Sequence, residues 1–439
     1  MQLNTTPEVP VADGSTGSAP TPDRARRYPW LVFALAFGLL LADYMSRQVL
    51  GAVFPLLKTE WGLTDSQLGS LNSVVALMVG LLTFPLSLLA DRWGRVKSLV
   101  LMATLWSIAT LLCALASDYH QMLGARFLVG VGEAAYGSVG IAVVLSVFAP
   151  RIHAALSGAF MAGGSFGSVL GVAAGGAIAV HLGWRWSFVT MAVAGLILAA
   201  LFRVLVSEAK LARHADSESA EPVERDGFRA PVSSLFTNPA VLCAYLGGGV
   251  QLFAAAVLLA WTPSFFNRVY GLAADTAAVA AAGVVLLVGA GMVCCGIITD
   301  RIGRRDLSRK WLTAIAFCSI SLVCLTVGFS IEHGAAQLIL IGIGAWFSGG
   351  SSGPTAAMVA TLTHSSVRAS AMGTLTLSNS LLGMALGPFV VGLLADRYDL
   401  TTALRLAPLA YLVAIAALAA GKYLYPAGLR KLAAVHHQR

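Results

Sequence analysis

Long apolar stretches separated by short polar breaks run through almost the whole chain. Twelve of them are long enough to cross a hydrocarbon layer of about 30 Å as helices. They begin near residues 29, 66, 98, 121, 155, 184, 238, 275, 311, 335, 367 and 402. One long polar break, Ser207 to Ser234, divides them six and six. The pattern predicts an all-α membrane protein with twelve transmembrane helices in two six-helix bundles.

The same breaks predict the domain boundaries. Residues 1–27 are rich in Pro, Ser, Thr and Gly and lack the apolar core of a removed signal peptide, so we expect a disordered cytoplasmic tail. The N-terminal bundle is expected over 28–206, a cytoplasmic linker over 207–234, the C-terminal bundle over 235–424 and a second cytoplasmic tail over 425–439.

Composition supports the membrane assignment. Hydrophobic residues make up 57% of the chain, charged residues 11%, and the mean hydropathy is +0.78, unlike a soluble domain. All six cysteines lie inside apolar runs without metal-ligand spacing. We therefore expect no metal site, no cofactor and no disulfide.

The basic residues predict the orientation of the chain. The formal net charge of +8 is read as a topology signal rather than as nucleic-acid binding, because basic residues collect in cytoplasmic loops. With the N-terminus inside, the loops opposite to it hold few cations, Lys58, Arg185, Arg268 and Arg397. We expect both termini on the cytoplasmic side of the cytoplasmic (inner) membrane.

The two halves repeat. DRWGR at Asp91–Arg95 recurs as DRIGR at Asp300–Arg304, and Gly62-Leu63 recurs as Gly271-Leu272, both 209 residues later. Span five also carries a ladder of small residues, 167–176, which is expected to let helices pack closely. Two related halves around a midplane ligand site are a transporter architecture.

Four ionisable residues lie inside the spans. Asp43 and Arg47 share a face of span one at i, i+4 spacing, and span four carries Arg126 and Glu133. Both carboxylates are expected near the midplane, with the arginines about one to two turns toward the external side. Such charges cost several kcal/mol unless they meet partners or water, and they mark functional sites by default.

These motifs resemble those of a known family. The two DRxGR loops and the pattern RxxxGxGxA from Arg126 to Ala134 resemble signatures of the major facilitator superfamily across the whole chain. Asp43 to Arg47, with GVGEAAY on span four, resembles the Spinster subgroup, which is associated with lipid-like substrates such as lysophospholipids and sphingosine phosphate. The resemblance implies the major facilitator fold, with pseudo-symmetric bundles and with spans one and four lining a central cavity where the four charged groups converge.

We expect these four groups to couple transport to a proton gradient. Making or breaking a contact with an arginine changes how tightly a carboxylate holds a proton. Glu133 is the expected proton carrier, and Asp43 and Arg126 are the expected gating pair, with Arg47 beside them. The alternative is a permanently paired quartet of zero net charge that only holds spans one and four together.

The second half lacks these charges. At the positions related by the repeat it carries apolar residues, Leu252, Ala256 and Ala345. One charged and one aromatic wall would suit an amphipathic anion, with its tail on Trp261 and Trp346. The candidate substrate contacts are Arg47, Arg126, Tyr44, Tyr136, Gln251, Trp261, Phe265 and Trp346.

The DRxGR loops are candidate gates. A carboxylate at a helix end, arginines within reach and a turn glycine can latch neighbouring spans. A simple positive-inside loop would explain the arginines but not the recurring Asp and Gly. The candidate gating residues are Asp91, Arg92, Gly94, Arg95, Asp300, Arg301, Gly303 and Arg304.

We interpret the chain as a secondary active transporter that moves an amphipathic or lipid-like anion by proton-coupled alternating access. The alternative is a proton-coupled symporter of a small organic acid, and a more remote one is a non-transporting membrane receptor. An enzyme is not expected, because the G-x-S-x-G matches at 163–167 and 349–353 lie inside spans, where we interpret them as packing ladders. The expected partners are a small-molecule or lipid-like substrate and the bilayer, with no nucleic acid, and we expect a monomer.

Overall fold

A computed structural model describes residues 22–149, 152–214, 234–303, 306–364 and 367–436. The helices of the first half are α1 Pro22–Trp61, α2 Asp65–Trp93, α3 Arg95–Leu115, α4 Tyr119–Glu133, α5 Tyr136–Leu145, α6 His153–Leu182 and α7 Trp184–Leu205. The short helices α8 Glu208–His214 and α9 Ser234–Thr237 flank the linker. The second half contains α10 Pro239–Val269, α11 Ala274–Gly303, α12 Arg309–Gly328, α13 Ala335–Ser348, α14 Ser352–Leu362, α15 Arg368–Ser378, a π-helix Asn379–Ala385, α16 Leu386–Arg397, α17 Leu400–Leu406 and α18 Ala410–His436.

Four helices begin at a residue whose side chain accepts a hydrogen bond from a free N–H group of the first turn. Thr64 and Gln67 form a reciprocal capping box at the start of α2. Asp118, Asn238 and Asp399 accept hydrogen bonds from backbone N–H groups at the starts of α4, α10 and α17. At these four helices a single polar residue therefore marks the start of an apolar segment.

The predicted tenth span is interrupted. Within the described residues, eleven helices are long and apolar enough to cross a membrane, and the tenth span is instead α13 followed by α14. Gly349 and Gly350 are poor helix formers, and Pro354 has no N–H to bond back to the carbonyl of Gly350. The segment 349–353 therefore contains a helix break, at residues 349–351, and is not the continuous packing ladder that we expected.

Some predicted boundaries shift. Helix α1 begins at Pro22, inside the tail expected over 1–27, whose residues 1–21 lie outside the described residues. Helix α8 occupies the start of the expected linker, and residues 215–233 are not among those described. At the other end, α18 continues to His436 and so includes most of the expected tail 425–439.

The sequence repeat marks equivalent turns. Gly62 follows α1 with a φ of 64°, and Gly271 follows α10 with a φ of 65°. This left-handed backbone favours glycine, because other residues place a Cβ against the chain there. We call the side that carries these turns and residues 398–399 the distal face, because an even number of spans places the chain termini opposite to it.

The halves meet mainly where α1 packs on α10, α6 packs on α11, and α2 packs on α16 and the π-helix. The contact of α2 with α16 and the π-helix is called the seam below.

Close approach within the first half depends on the small-residue ladder of span five. A Cβ on Gly167 would lie 2.5 Å from the carbonyl oxygen of Leu41, and a Cβ on Gly171 would lie 2.6 Å from that of Met45. The predicted ladder therefore packs α6 directly against the backbone of α1.

Replacing Gly171 with leucine should separate α6 from α1. Overpacking at such a contact costs about 1–3 kcal/mol or more, so we expect Gly171→Leu to lower the melting temperature of the detergent-purified protein. Gly158→Leu is the matched control, because a Cβ on Gly158 of the same helix meets nothing within 4 Å. Equal melting temperatures for the two variants would contradict this packing.

Candidate functional site

The four charged residues predicted from spans one and four come together between α1 and α4. Asp43 and Glu133 are each 2% exposed, and Arg126 is fully buried. Arg47 keeps 20% of its side chain accessible. The four groups therefore converge as expected, but they do so inside the first half, and the two carboxylates do not line a cavity that the described residues form. Only Arg47 reaches open space appreciably.

Arg47 links the two carboxylates. Its Nε lies 2.6 Å from Glu133 Oε2, and its Nη2 lies 3.8 Å from Asp43 Oδ2. The Nε–H does not point along the short contact, which makes it an ion pair rather than an aligned hydrogen bond. Ser46 donates to Glu133 Oε1 at 3.2 Å, and the guanidinium of Arg47 lies 5.3 Å from the centre of the Tyr44 ring. Neutralising Glu133 would therefore first weaken its ion pair with Arg47.

The expected pairing of Asp43 with Arg126 is not found among the described residues. Arg126 instead donates to two main-chain carbonyls, that of Leu71 on α2 at 3.3 Å and that of Ser46 on α1 at 3.4 Å. Its Nη2 is buried without a hydrogen-bond partner among the described groups. Leaving a charged donor unpaired in the interior is costly, so Arg126 is a candidate site for an anion.

Span four is broken immediately after Glu133. Helix α4 ends at that residue, and α5 begins at Tyr136 after a two-residue turn. The hydroxyl of Thr83 on α2 donates to the carbonyl of Ala134 at 2.6 Å and so satisfies a group that the break releases. Glu133 therefore sits at a helix end inside the membrane, as ligand-binding residues of discontinuous transporter helices do.

A small polar pocket lies between the halves beside the arginines. Its volume is about 30 Å³, room for roughly two water molecules. The first half contributes Arg47, Gln48, Asn72, Val75, Ala76 and Arg126, and the second half contributes Ala256, Leu259 and Met384. Ala256 is the residue that the repeat relates to Arg47, so the pocket lies where the two halves face each other. Sequence reasoning missed Gln48 and Asn72, although both are polar residues within apolar spans.

Several candidate substrate residues belong to packed interiors instead. The Tyr136 hydroxyl donates to the carbonyl of Ala36 at 2.7 Å. Trp261 is fully buried and donates from Nε1 to the carbonyl of Pro388 at 3.1 Å. Phe265 packs among aromatic rings near the distal end of α10. These side chains hold helices together in this structure and do not line the polar pocket.

Two further candidates, Gln251 and Trp346, lie apart from the arginines. Gln251 is buried in the second half and donates from Nε2 to the Ser352 hydroxyl at 3.0 Å. Trp346 lines a separate apolar groove between α11 and α13, together with Leu287. The expected aromatic wall around Trp261 and Trp346 is therefore not formed, and of the eight candidates only Arg47 and Arg126 line the polar pocket.

A lock on the distal face joins the two halves, and the sequence motifs did not reveal it. Arg268 at the end of α10 donates twice to Asp65 at the start of α2, at 2.6 and 2.9 Å. Lys58 adds a third bond to Asp65 at 2.7 Å. Asp396 on α16 accepts from the backbone N–H groups of Asp65 and Ser66 at 2.6 and 2.8 Å. Both halves are thus tied together above the polar pocket, and we call these contacts the distal lock.

The predicted gating loops make contacts within their own half. Asp300 pairs with Lys310 at 3.1 Å and so latches α11 to α12, and the Lys310 stem covers Gly303. In the first loop, Gly94 has a φ of 100°. The carboxylate of Glu208 in α8 accepts from the N–H of Val96 beside Gly94, at 2.7 Å. Arg92, Arg95 and Arg301 are exposed, whereas the Asp91 side chain and Arg304 lie outside the described part of the chain. A role in gating stays a prediction.

A family model described as Major Facilitator Superfamily matches residues 36–388. A probable L-galactonate transporter of Escherichia coli (strain K12) is 26% identical over 332 residues, which cover 72% of each chain. A hexuronate transporter of Bacillus subtilis (strain 168) is 23% identical, covering 72% of this chain and 76% of that relative. Protein spinster of Drosophila melanogaster is 25% identical, covering 57% of this chain and 42% of that protein.

Solved structures show the same fold. A bacterial homolog to the human lysosomal transporter Spinster, in an inward-facing and occupied conformation, superposes with a TM-score of 0.75 at 20% identity. The superposition covers 92% of this chain and 97% of that chain. Both similarities that the sequence motifs predicted are therefore confirmed.

Breaking the distal lock should open the polar pocket toward the distal face. Hydrogen bonds to charged groups contribute about 1.5–3 kcal/mol each, so we expect Arg268→Gln to populate a distally open state. The reporter is Asn72→Cys in the polar pocket, modified by a maleimide that cannot cross the membrane and is added at the distal face. Labelling should rise with Arg268→Gln but not with Arg397→Gln, whose arginine stacks on Tyr398 outside the lock. Equal labelling of both variants would exclude this lock.

Proposed function

The chain belongs to the Major Facilitator Superfamily, and from that membership we propose that it is a proton-coupled symporter of a small organic acid. The observation that carries the proposal is the buried Arg126. Its guanidinium has an unused donor, is bonded to main-chain carbonyls rather than to a carboxylate, and lines a polar pocket between the halves. A substrate carboxylate is the group that such a donor would bind.

Charge balance supports coupling of the anion to a proton. The quartet Asp43, Arg47, Arg126 and Glu133 has zero net charge when both carboxylates are ionised. Adding an anion alone would leave an excess negative charge in the membrane interior, which is costly. Adding a proton with the anion restores neutrality. Symport of one anion with one proton is therefore the stoichiometry that this site favours.

Arg47 supplies a physical link between the two events. It lies 2.6 Å from Glu133, and this ion pair holds it only while Glu133 is ionised. Protonation of Glu133 releases Arg47, whose partly exposed guanidinium can then join Arg126 around the substrate carboxylate. Asp43, 3.8 Å from Arg47, is the second carboxylate at the site and keeps the released arginine oriented. Glu133 thus retains the role of proton carrier that we expected from the sequence.

We infer the substrate class from the chemistry of the polar pocket rather than from its size, since about 30 Å³ is too small for an organic acid while the distal face is closed. Two arginines flank the pocket, and the aromatic wall that would have received the tail of an amphipathic anion is not formed there. Two of the relatives above are named as transporters of sugar acids, L-galactonate and hexuronate. We therefore favour a hydrophilic organic acid over the lipid-like anion that the Spinster resemblance suggested first.

Alternating access would use the two faces of the molecule in turn. The distal lock closes one face here, and the repeated DRxGR loops are the candidate latches at the other. Arginines and lysines cluster on the side of the chain termini, at the ends of α2 and α11 and the starts of α3 and α12. They are Arg92, Lys97, Arg301, Arg309 and Lys310. By the positive-inside rule we assign that side to the cytoplasm of a cytoplasmic (inner) membrane.

Removing the ionisable proton carrier should uncouple transport from pH. We expect Glu133→Gln to fold but to lose the acceleration of L-galactonate uptake by an inward proton gradient, because a permanently neutral residue cannot exchange the proton. The assay is uptake into proteoliposomes with and without the gradient. Glu60→Gln, at an exposed distal carboxylate, is the control and should retain the response. A gradient response of Glu133→Gln like that of the parent protein would refute the assignment.

Removing Arg126 should abolish anion binding. A ligand that binds only the folded state stabilises it by about 2.7 kcal/mol at 100 times its Kd, so L-galactonate should raise the melting temperature of the parent protein. The rise should be larger at lower pH, since proton and anion bind together. Arg126→Gln should lose the rise, whereas Arg185→Gln, at a distal surface ion pair, should keep it. A shift produced by a lysophospholipid and not by sugar acids would favour the lipid-like substrate instead.

A further inference from the structure

A second pocket lies on the other side of the seam from the arginines. Asn72 and Ala76 of α2 face the polar pocket, while Val74 and Leu77 of the same helix line the second one. The π-helix is divided in the same way, because Met384 faces the polar pocket and Leu382 the second. Residues from both halves therefore form this second pocket, which we call the seam pocket.

The seam pocket opens on the apolar surface of the molecule. Two of its lining side chains, Leu386 and Phe389 of α16, are 43% and 36% exposed. Leu123 of α4 lines it from the first half. The α2 positions lie five to twelve residues from the start of that helix, or about 8–18 Å at 1.5 Å per residue, which places the pocket in the distal half of the hydrocarbon layer.

Its size and chemistry fit a hydrocarbon chain. The volume is about 460 Å³, within the range of ligand sites, and the lining carries no charge. Only two lining residues are polar. Ser70 is hydrogen-bonded to the Gln67 carbonyl and the Tyr119 hydroxyl, and the Ser73 hydroxyl is buried without a partner among the described groups. Water would find few hydrogen-bond partners in this cleft, which opens on lipid.

We propose that the seam pocket binds an acyl chain of a bilayer lipid and that the bound chain favours the distally closed arrangement of the halves. Since both halves line the pocket, its shape exists only while they meet along the seam. A ligand that binds one arrangement better than another shifts the population toward it. The lipid therefore acts as a regulator of access, independently of which anion is carried.

Photo-crosslinking of the unmodified protein tests the site directly. The probe is phosphatidylcholine with a diazirine on one acyl chain, incorporated into proteoliposomes, with the adducts mapped by mass spectrometry. We expect adducts concentrated on residues 70–77 of α2 and 381–389 of the π-helix and α16. An even distribution over the exposed apolar side chains, such as Leu81 and Val293, would overturn the proposal.

Filling the pocket tests the regulation. Raising the dioleoyl phosphatidylcholine content of proteoliposomes made from a branched-chain lipid should lower labelling of Asn72→Cys by an impermeant maleimide added at the distal face, because the linear chain favours the distally closed state. Val74→Phe should remove this response and the crosslinks, whereas Val293→Phe, on the exposed surface of α11, should keep both. Equal responses in the two variants would contradict the proposal. Displacement of the crosslinking lipid by a transported anion would assign the pocket to the substrate and would also overturn it.

Discussion

The cost of placing charge in hydrocarbon organises this molecule. Each buried ion loses several kcal/mol of hydration free energy unless other polar groups replace the water. In the first half these partners are internal. Arg47 forms ion pairs with both carboxylates, and Arg126 donates hydrogen bonds to main-chain carbonyls. The second half carries apolar residues at the repeat-related positions. Movement of one half against the other can therefore leave the quartet intact, so that protonation and anion binding, rather than the motion itself, redistribute its contacts.

Breaks in two membrane-spanning helices mark the region where the titratable Glu133 lies. Spans four and ten are interrupted, at residues 134–135 and 349–351, which the repeat places in similar regions of the two halves. A break inside the membrane is stable only where other groups bond to the released carbonyls. Thr83 does so beside Glu133. In the second half no carboxylate stands at the corresponding position, so the two breaks share their geometry while only one carries a titratable group.

The sequence predicts most of the fold because span length, basic loops and the 209-residue repeat each leave a local signal. It also predicts that the four charged residues come together, because helix geometry gives their spacing and depth directly from the sequence. Two features escape it. In uniformly apolar spans, periodicity does not separate a buried aromatic such as Trp261 from one that lines a cavity. The distal lock joins Asp65, Arg268 and Asp396, separated by up to 331 residues and belonging to no recurring motif.

The strength of the lock bears on how the transporter can turn over. A two-state equilibrium moves from 1:99 to 99:1 when a ligand supplies about 5.5 kcal/mol of differential binding. The lock has four bonds between the halves, and each contributes at most about 1.5–3 kcal/mol, so its upper limit is of the same order as this difference. Arg268 keeps 25% of its side chain exposed, so water competes for its bonds. A fully buried ion pair would keep the distal face closed, whereas the free energy needed to break this partly exposed one is of the size that ligand binding provides.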